Sequence, residues 1–143
     1  MIQIKHAVNE EDRNKCYALR LAVFVEEQGV PLDMELDEHD ETDAVHIMGC
    51  DEGEVVATAR MVNLDGVGKI GRVAVAQSAR GKGYGKQVIE ALMNLARDAG
   101  TVSSFALDAQ IQATGLYEKL GFEKVGDVFD DAGIDHIKMV RGL

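Results

Sequence analysis

Arg72-Val73-Ala74-Val75, a short link, then Arg80-Gly81-Lys82-Gly83-Tyr84-Gly85-Lys86 and the run on to Ala99 decide the reading of this chain. The first four residues are β-rich. From Gly83 to Ala99 the residues Val88, Leu92, Leu95, Ala96 and Ala99 recur at helical spacing. A strand that enters a glycine-rich turn opening a helix is a phosphate receiver. Glycines let backbone N–H groups approach an oxyanion, and the free N–H groups of the helix start add partial positive charge. Two phosphate motifs fail here. G-x-x-x-x-G-K-[ST] would need a glycine at Arg80 and a hydroxyl residue at Gln87. G-x-G-x-x-G starts well at Gly81 and Gly83 but ends on Lys86.

Outward from that segment, Ile2–Val8 alternates as a first strand. Asn9 with Glu10, Glu11 and Asp12 marks a helix start, and the helix is expected to reach Val25 with Cys16, Leu19, Ala22 and Val23 on its apolar face. Gln28-Gly29-Val30-Pro31 ends it, and the acidic stretch to Asp43 reads as loop with one short helical turn. Ala44–Cys50, Val55–Val62 and Ile70–Val75 form a meander turning at Asp51-Glu52-Gly53 and Leu64-Asp65-Gly66. After the long helix come a strand at Ser104–Leu107, a short helix at Ala113–Lys119, and a hairpin of Glu123–Phe129 with Ile134–Val140. The order β-α-β-β-β-α-β-α-β-β is α+β with a mixed sheet. We find no internal repeat and no low-complexity tract.

Composition sets the outer limits. The chain has 143 residues and 15.5 kDa, which suits a single domain over residues 1–143. No apolar run approaches the ~18 residues of a membrane helix, and Met1–Arg13 lacks the apolar stretch of a signal peptide, so a cytoplasmic protein with no membrane partner is expected. Cys16 and Cys50 have neither C-x-x-C spacing nor a local histidine. No metal is expected. His39 among Asp37, Glu38 and Asp40 lacks a ligand spacing and is set aside.

The net charge of −10 argues against nucleic acid as a partner. That charge is uneven. Residues 21–59 hold twelve acids and no Lys or Arg, whereas Lys69, Arg72, Arg80, Lys82, Lys86 and Arg97 meet only Glu90 between residues 69 and 97. The basic stretch suits an anion. The acidic arm suits either a cationic ligand or plain solvation.

The pattern that does fit the loop is R-x-x-G-x-G at Arg80, Gly83 and Gly85. Here the chain resembles the GNAT-superfamily N-acetyltransferases, whose pyrophosphate loop reads [QR]-x-x-G-x-[GA]. A second landmark lies about 30 residues on. Gln110-Ile111-Gln112-Ala113-Thr114-Gly115-Leu116-Tyr117-Glu118-Lys119-Leu120-Gly121-Phe122 is similar to the superfamily's N-x-x-A-x-x-x-Y-x-x-x-G-F, with Gln110 in place of Asn. The element order matches along essentially the whole chain. Val23-Phe24-Val25-Glu26-Glu27-Gln28, with Pro31 and the acids to Asp40, resembles the small bacterial ElaA-like branch.

The resemblance implies a mostly antiparallel central sheet with helices on both faces, and acetyl-CoA as co-substrate. It implies that Val73 and Val75 offer backbone groups to the pantetheine. Arg80, Gly81, Lys82, Gly83, Tyr84, Gly85 and Lys86 would hold the pyrophosphate, and Gln110 would supply an amide contact. Direct attack of an amine on the thioester then needs an acid for the thiolate, and Tyr117 is the candidate, since a phenol is neutral at physiological pH. Its ring also has the spacing of a core residue. For the base, Glu27 at the helix end is the first candidate, with His136, His46 or water as alternatives. The acceptor is expected to be a small-molecule or peptide amine, cationic if the acidic arm steers it. A non-catalytic acyl-CoA-binding module is the competing reading. The edge strands over residues 123–140 offer a surface for a homodimer.

Overall fold

The computed structural model describes residues 2–37 and 39–143, and of Glu41 only the backbone. Met1 and Glu38 lie outside the described residues. Three tight hairpins build most of the sheet. β2 (Val45–Asp51), β3 (Glu54–Leu64) and β4 (Val67–Val75) form the meander, and β6 (Glu123–Asp131) turns into β7 (Ile134–Gly142). Each turn has two residues, both in the left-handed region; at Asp65-Gly66 the φ values are 53° and 88°. That twist matches the right-handed twist of the flanking strands, and Gly66 enters the region without a Cβ penalty.

β1 (Gln3–His6) and β5 (Ser104–Gln110) complete a seven-stranded sheet in the order β1-β2-β3-β4-β5-β7-β6. Every pairing is antiparallel except β4 with β5. Parallel neighbours need a crossover, and α4 (Tyr84–Ala99) supplies it. The expected α+β class and mixed sheet hold.

Two layers of helix cover the sheet. Adjacent β2 residues point to opposite faces, so Ile47 joins the core beneath α4 while Met48 packs with Ala7 and Cys16 beneath α1 (Glu10–Arg20). The α4 face sets Val88, Ile89 and Leu92, all fully buried, against Phe105, Leu107 and Met139. Burying each such side chain contributes about 1.5–3 kcal/mol, which makes α4 the main anchor of the crossover. Asn9 caps α1 as expected, its Oδ1 accepting the Asp12 N–H at 2.8 Å.

The helix does not stay α to Val25. It widens into a π-helical segment, Leu21–Glu27, whose end is marked by the Gln28 N–H bonding the Val23 carbonyl five residues back. The arm beyond it holds two short helices instead of one, α2 (Leu32–Glu35) and α3 (His39–Thr42). β6 forms the outer edge and is exposed along its length. Among the described residues no helix is long and apolar enough to cross a membrane.

Candidate active site

The sheet opens where β4 and β5 part. The two strands pair only from Val67↔Ser104 to Ile70↔Leu107; beyond that β5 continues against β7 alone. The cause lies in β4. Thr58 pairs with Ala74 but Arg60 pairs with Gly71, so Arg72 and Val73 together oppose the single residue Ala59. Arg72 takes a left-handed φ of 52° to make this bulge. A bulge bends its strand and strengthens the local twist, and here it swings Arg72–Val75 away from β5. The segment expected to receive pantetheine, with Val73 and Val75, is therefore a strand edge with no β5 partner.

At the end of β4 the chain makes a 3-10 turn over Gln77–Ala79 and reaches the loop. Gly81, Lys82 and Gly83 are exposed, and the two glycines have φ near 80°. Gly83 occupies the N-cap of α4 and brings no side chain to the free N–H groups of the first turn, which also contains no acid. An uncapped helix start ringed by Lys82 and Lys86 fits an oxyanion in charge and in donor type. Tyr84 buries its side chain in the core, which leaves its backbone to the loop.

Gly85 lies within α4, and a Cβ there would make ordinary contacts with Val75 and Leu116, at 3.5 and 3.7 Å.

A cleft of about 280 Å³ lies in the opening between β4 and β5. Val73, Gln110, Tyr117 and His136 all line it. Tyr117, on α5 (Thr114–Lys119), is 8% exposed, and its ring meets Phe122 edge-on. Its hydroxyl makes no hydrogen bond among the described residues, and burial pushes the phenol up to about 12. Packing and an available O–H therefore coexist in one residue. Gln110 donates to Gln28 Oε1 at 2.8 Å and accepts from Gln112 at 2.7 Å. His136 stacks on Phe129, and its Nδ1 lies 2.7 Å from the Ile134 carbonyl. That contact assigns the proton to Nδ1 and leaves Nε2 as an acceptor.

The other base candidates lie elsewhere. Glu27 does not line the cleft; both of its carboxylate oxygens take hydrogen bonds from Arg80, at 2.7 and 2.9 Å. His46 is buried beside Tyr17 and bonds through Nε2 to the Asp40 carbonyl, while burial holds its ring below the usual histidine value.

The acidic arm is not a solvated tail of charge. Arg20, 1% exposed, bonds Glu35 and Asp40, each at 2.7 Å. Arg60 bonds Asp37 and Asp40, and Arg72 reaches Glu35 and Asp37 at 3.3 Å. Burial works against the charged form of Asp40, yet hydrogen bonds from Arg20 and the Asp37 N–H, with the charges of Arg20 and Arg60, hold its carboxyl far below the usual range.

Three arginines thus consume three of the arm's acids and fix α2, whose Met34 and Glu35 line the cleft, with α3 beside it. Sequence reading missed this, although a signal existed: Arg20 follows Cys16 by one helical turn on the apolar face of α1, a place where an arginine needs a buried partner. Around the cleft Glu35, Asp108 and Asp131 are balanced by Arg60, Lys69 and Arg72, so its wall carries no net negative charge to draw a cation.

The relatives of this chain agree with this architecture. The model of the acetyltransferase (GNAT) family matches residues 7–122. The "uncharacterized N-acetyltransferase YjcF" of Bacillus subtilis is 39% identical over 136 residues, covering 94% of this chain and 96% of YjcF. The crystal structure of Escherichia coli ElaA superposes with a TM-score of 0.88 at 31% identity, covering 99% of both chains. An acyl-CoA N-acyltransferase from Pseudomonas aeruginosa superposes at 0.84 with 28% identity, again over 99% of both. A bulged β4 parting from β5, an uncapped glycine start to α4 and a family match over most of the chain lead to one conclusion: this protein belongs to the GNAT acetyltransferase family, whose members generally carry out acyl-CoA-dependent N-acyl transfer.

Proposed function

We propose that this protein moves an acetyl group from acetyl-CoA to a small primary amine by direct attack, with Tyr117 as the general acid. The observation that carries the reading is a buried tyrosine on the wall of the cleft where β4 leaves β5, its hydroxyl making no hydrogen bond among the described residues. When bound, acetyl-CoA supplies an activated acetyl thioester. The unpaired edge of Val73 and Val75 would hold its pantetheine as an added strand is held. Loop residues 80–86 would hold the pyrophosphate through backbone N–H groups, with Lys82 and Lys86 adding charge. Gln110 keeps an amide at the end of β5 for the same ligand.

Tyr117 keeps its proton throughout the physiological range, because burial raises its phenol to about 12. Its O–H is therefore present to hydrogen-bond the departing sulfur and pass it a proton as the thiolate leaves. His136, whose Nε2 makes no hydrogen bond among the described residues, is a cleft residue suited to take the amine proton, directly or through water. The balanced charge of the wall supports a small amine as acceptor rather than a polycation.

A thiol-release assay with acetyl-CoA and a panel of primary amines tests the reading. Release that needs an amine and falls about 100-fold in Tyr117→Phe is the expected result. CoA binding with no release on any amine would assign the protein to the non-catalytic acyl-CoA-binding class instead.

A further inference from the structure

We propose that Glu27 is a positioning residue for the phosphate loop: it holds Arg80 as a brace at the base of that loop and leaves anion contact to the loop's backbone and lysines. The inference rests on the reading that this loop takes the pyrophosphate of CoA.

The Arg80 guanidinium is directed on two sides. Nε donates to the Val75 carbonyl at 3.1 Å, and the two terminal nitrogens donate to the two oxygens of Glu27 at 2.9 and 2.7 Å. Both terminal nitrogens thus pair bidentately with one carboxylate, the arrangement in which an arginine–carboxylate pair has its strictest geometry. Val75 closes β4 and Arg80 opens the loop, so the side chain ties the two ends of the 3-10 turn together. Beyond Arg80 the chain has left-handed glycines at positions 81 and 83, around which nothing stands within 4 Å of a Cβ position. Such a loop orders its N–H groups only as well as its stem is held, and fixing the stem beforehand reduces the entropy lost on binding.

The other end of the brace is equally placed. Glu27 is the last residue of the π-helical segment, and its neighbour Gln28 bonds Gln110 at 2.8 Å. Two consecutive residues therefore grip both rims of the opening, the β4 rim through Arg80 and the β5 rim through Gln110. The wide turn makes this possible by carrying the chain through an extra residue before the break at Gly29. Phe24 from the same segment and Gln28 and Val30 just beyond it line the cleft, so the stretch that shapes the cleft wall also sets the loop.

A latch would look similar in outline but would act with the opposite sign. If Glu27 competed with the pyrophosphate for Arg80, removing its charge would free the guanidinium and tighten CoA binding. A brace predicts weaker binding. Calorimetric titration of CoA, and of pantetheine as a probe without pyrophosphate, is made on wild type, Glu27→Gln, Arg80→Gln and the double variant. The expected result is a CoA dissociation constant raised about two- to fivefold in each single variant, the upper range of an oriented surface ion pair. The double variant should be no worse than either single, because both act through one contact. Pantetheine binding should stay unchanged in all three, a split that general loosening of the fold would not produce.

Tighter CoA binding in Glu27→Gln would overturn the brace in favour of the latch. Unchanged affinity, or losses that add in the double variant, would overturn it outright while leaving the loop assignment standing. A wild-type protein that binds no CoA would overturn the loop assignment and the brace together.

Discussion

Replacing Asp40 by alanine removes the carboxylate that Arg20 and Arg60 share. Asp40 accepts from both terminal nitrogens of Arg20 at 2.7 and 3.0 Å, from Arg60 at 2.9 Å and from the Asp37 N–H at 3.0 Å. Both Asp40 and Arg20 are nearly inaccessible, at 4% and 1% exposure. Removing one member of a buried ion pair costs about 3–5 kcal/mol, mostly because the other charge is left without a partner. Arg20 keeps Glu35, at 2.7 Å from Oε1 and 2.9 Å from the carbonyl, which places the expected loss at the lower end, about 3 kcal/mol. For a domain of this size that is a fall of roughly 6–12 °C in melting temperature.

Urea denaturation monitored by circular dichroism, with thermal melts alongside, measures it. Asp33→Asn is the control, since Asp33 is exposed on the same arm and should stay within about 0.5 kcal/mol of wild type. An Asp40→Ala loss below about 1 kcal/mol, or equal to that of Asp33→Asn, would refute the buried clasp and return the arm to a solvated run of acid.

The clasp also has a pH signature. Asp37 and Asp40 both have lowered carboxyl values when folded, so their contribution is complete above the unfolded value of about 3.9 and is lost as pH falls through the folded ones. Burial pushes Glu35 the opposite way, so the difference between wild type and Asp40→Asn isolates the effect: the stability gap should narrow as pH falls below about 4. In Tyr117→Phe the melting temperature and CoA affinity should stay near wild type, because the lost hydroxyl bonds nothing among the described residues, while turnover falls about 100-fold. The two loop glycines should separate. Gly83→Ala strains a left-handed position and should weaken CoA binding in calorimetry at a stability cost of about 1 kcal/mol. Gly85→Ala lies in the helix with room for a methyl group and should leave stability unchanged or raise it by up to about 1 kcal/mol.

Local chemistry made the fold legible from the sequence. Two-residue turns ending in Gly53, Gly66 and Gly133, the helical period of Val88, Leu92 and Ala96, and the Asn9 cap each act within a few residues, and their order along the chain restricts the topology. The glycine-rich segment pointed to a phosphate-binding loop for the same reason. The contacts of its charged neighbours were decided by tertiary structure alone. Glu27 and Arg80 meet across 53 residues, Arg60 and Asp37 across 23, and Arg72 and Glu35 across 37. A carboxylate reads the same in sequence whether water or a guanidinium surrounds it, and only the returning chain decides which. The same holds for the bulge at Arg72: an arginine gives no local sign that it will enter the left-handed region, and it does so here because β4 must pair with β3 while turning away from β5.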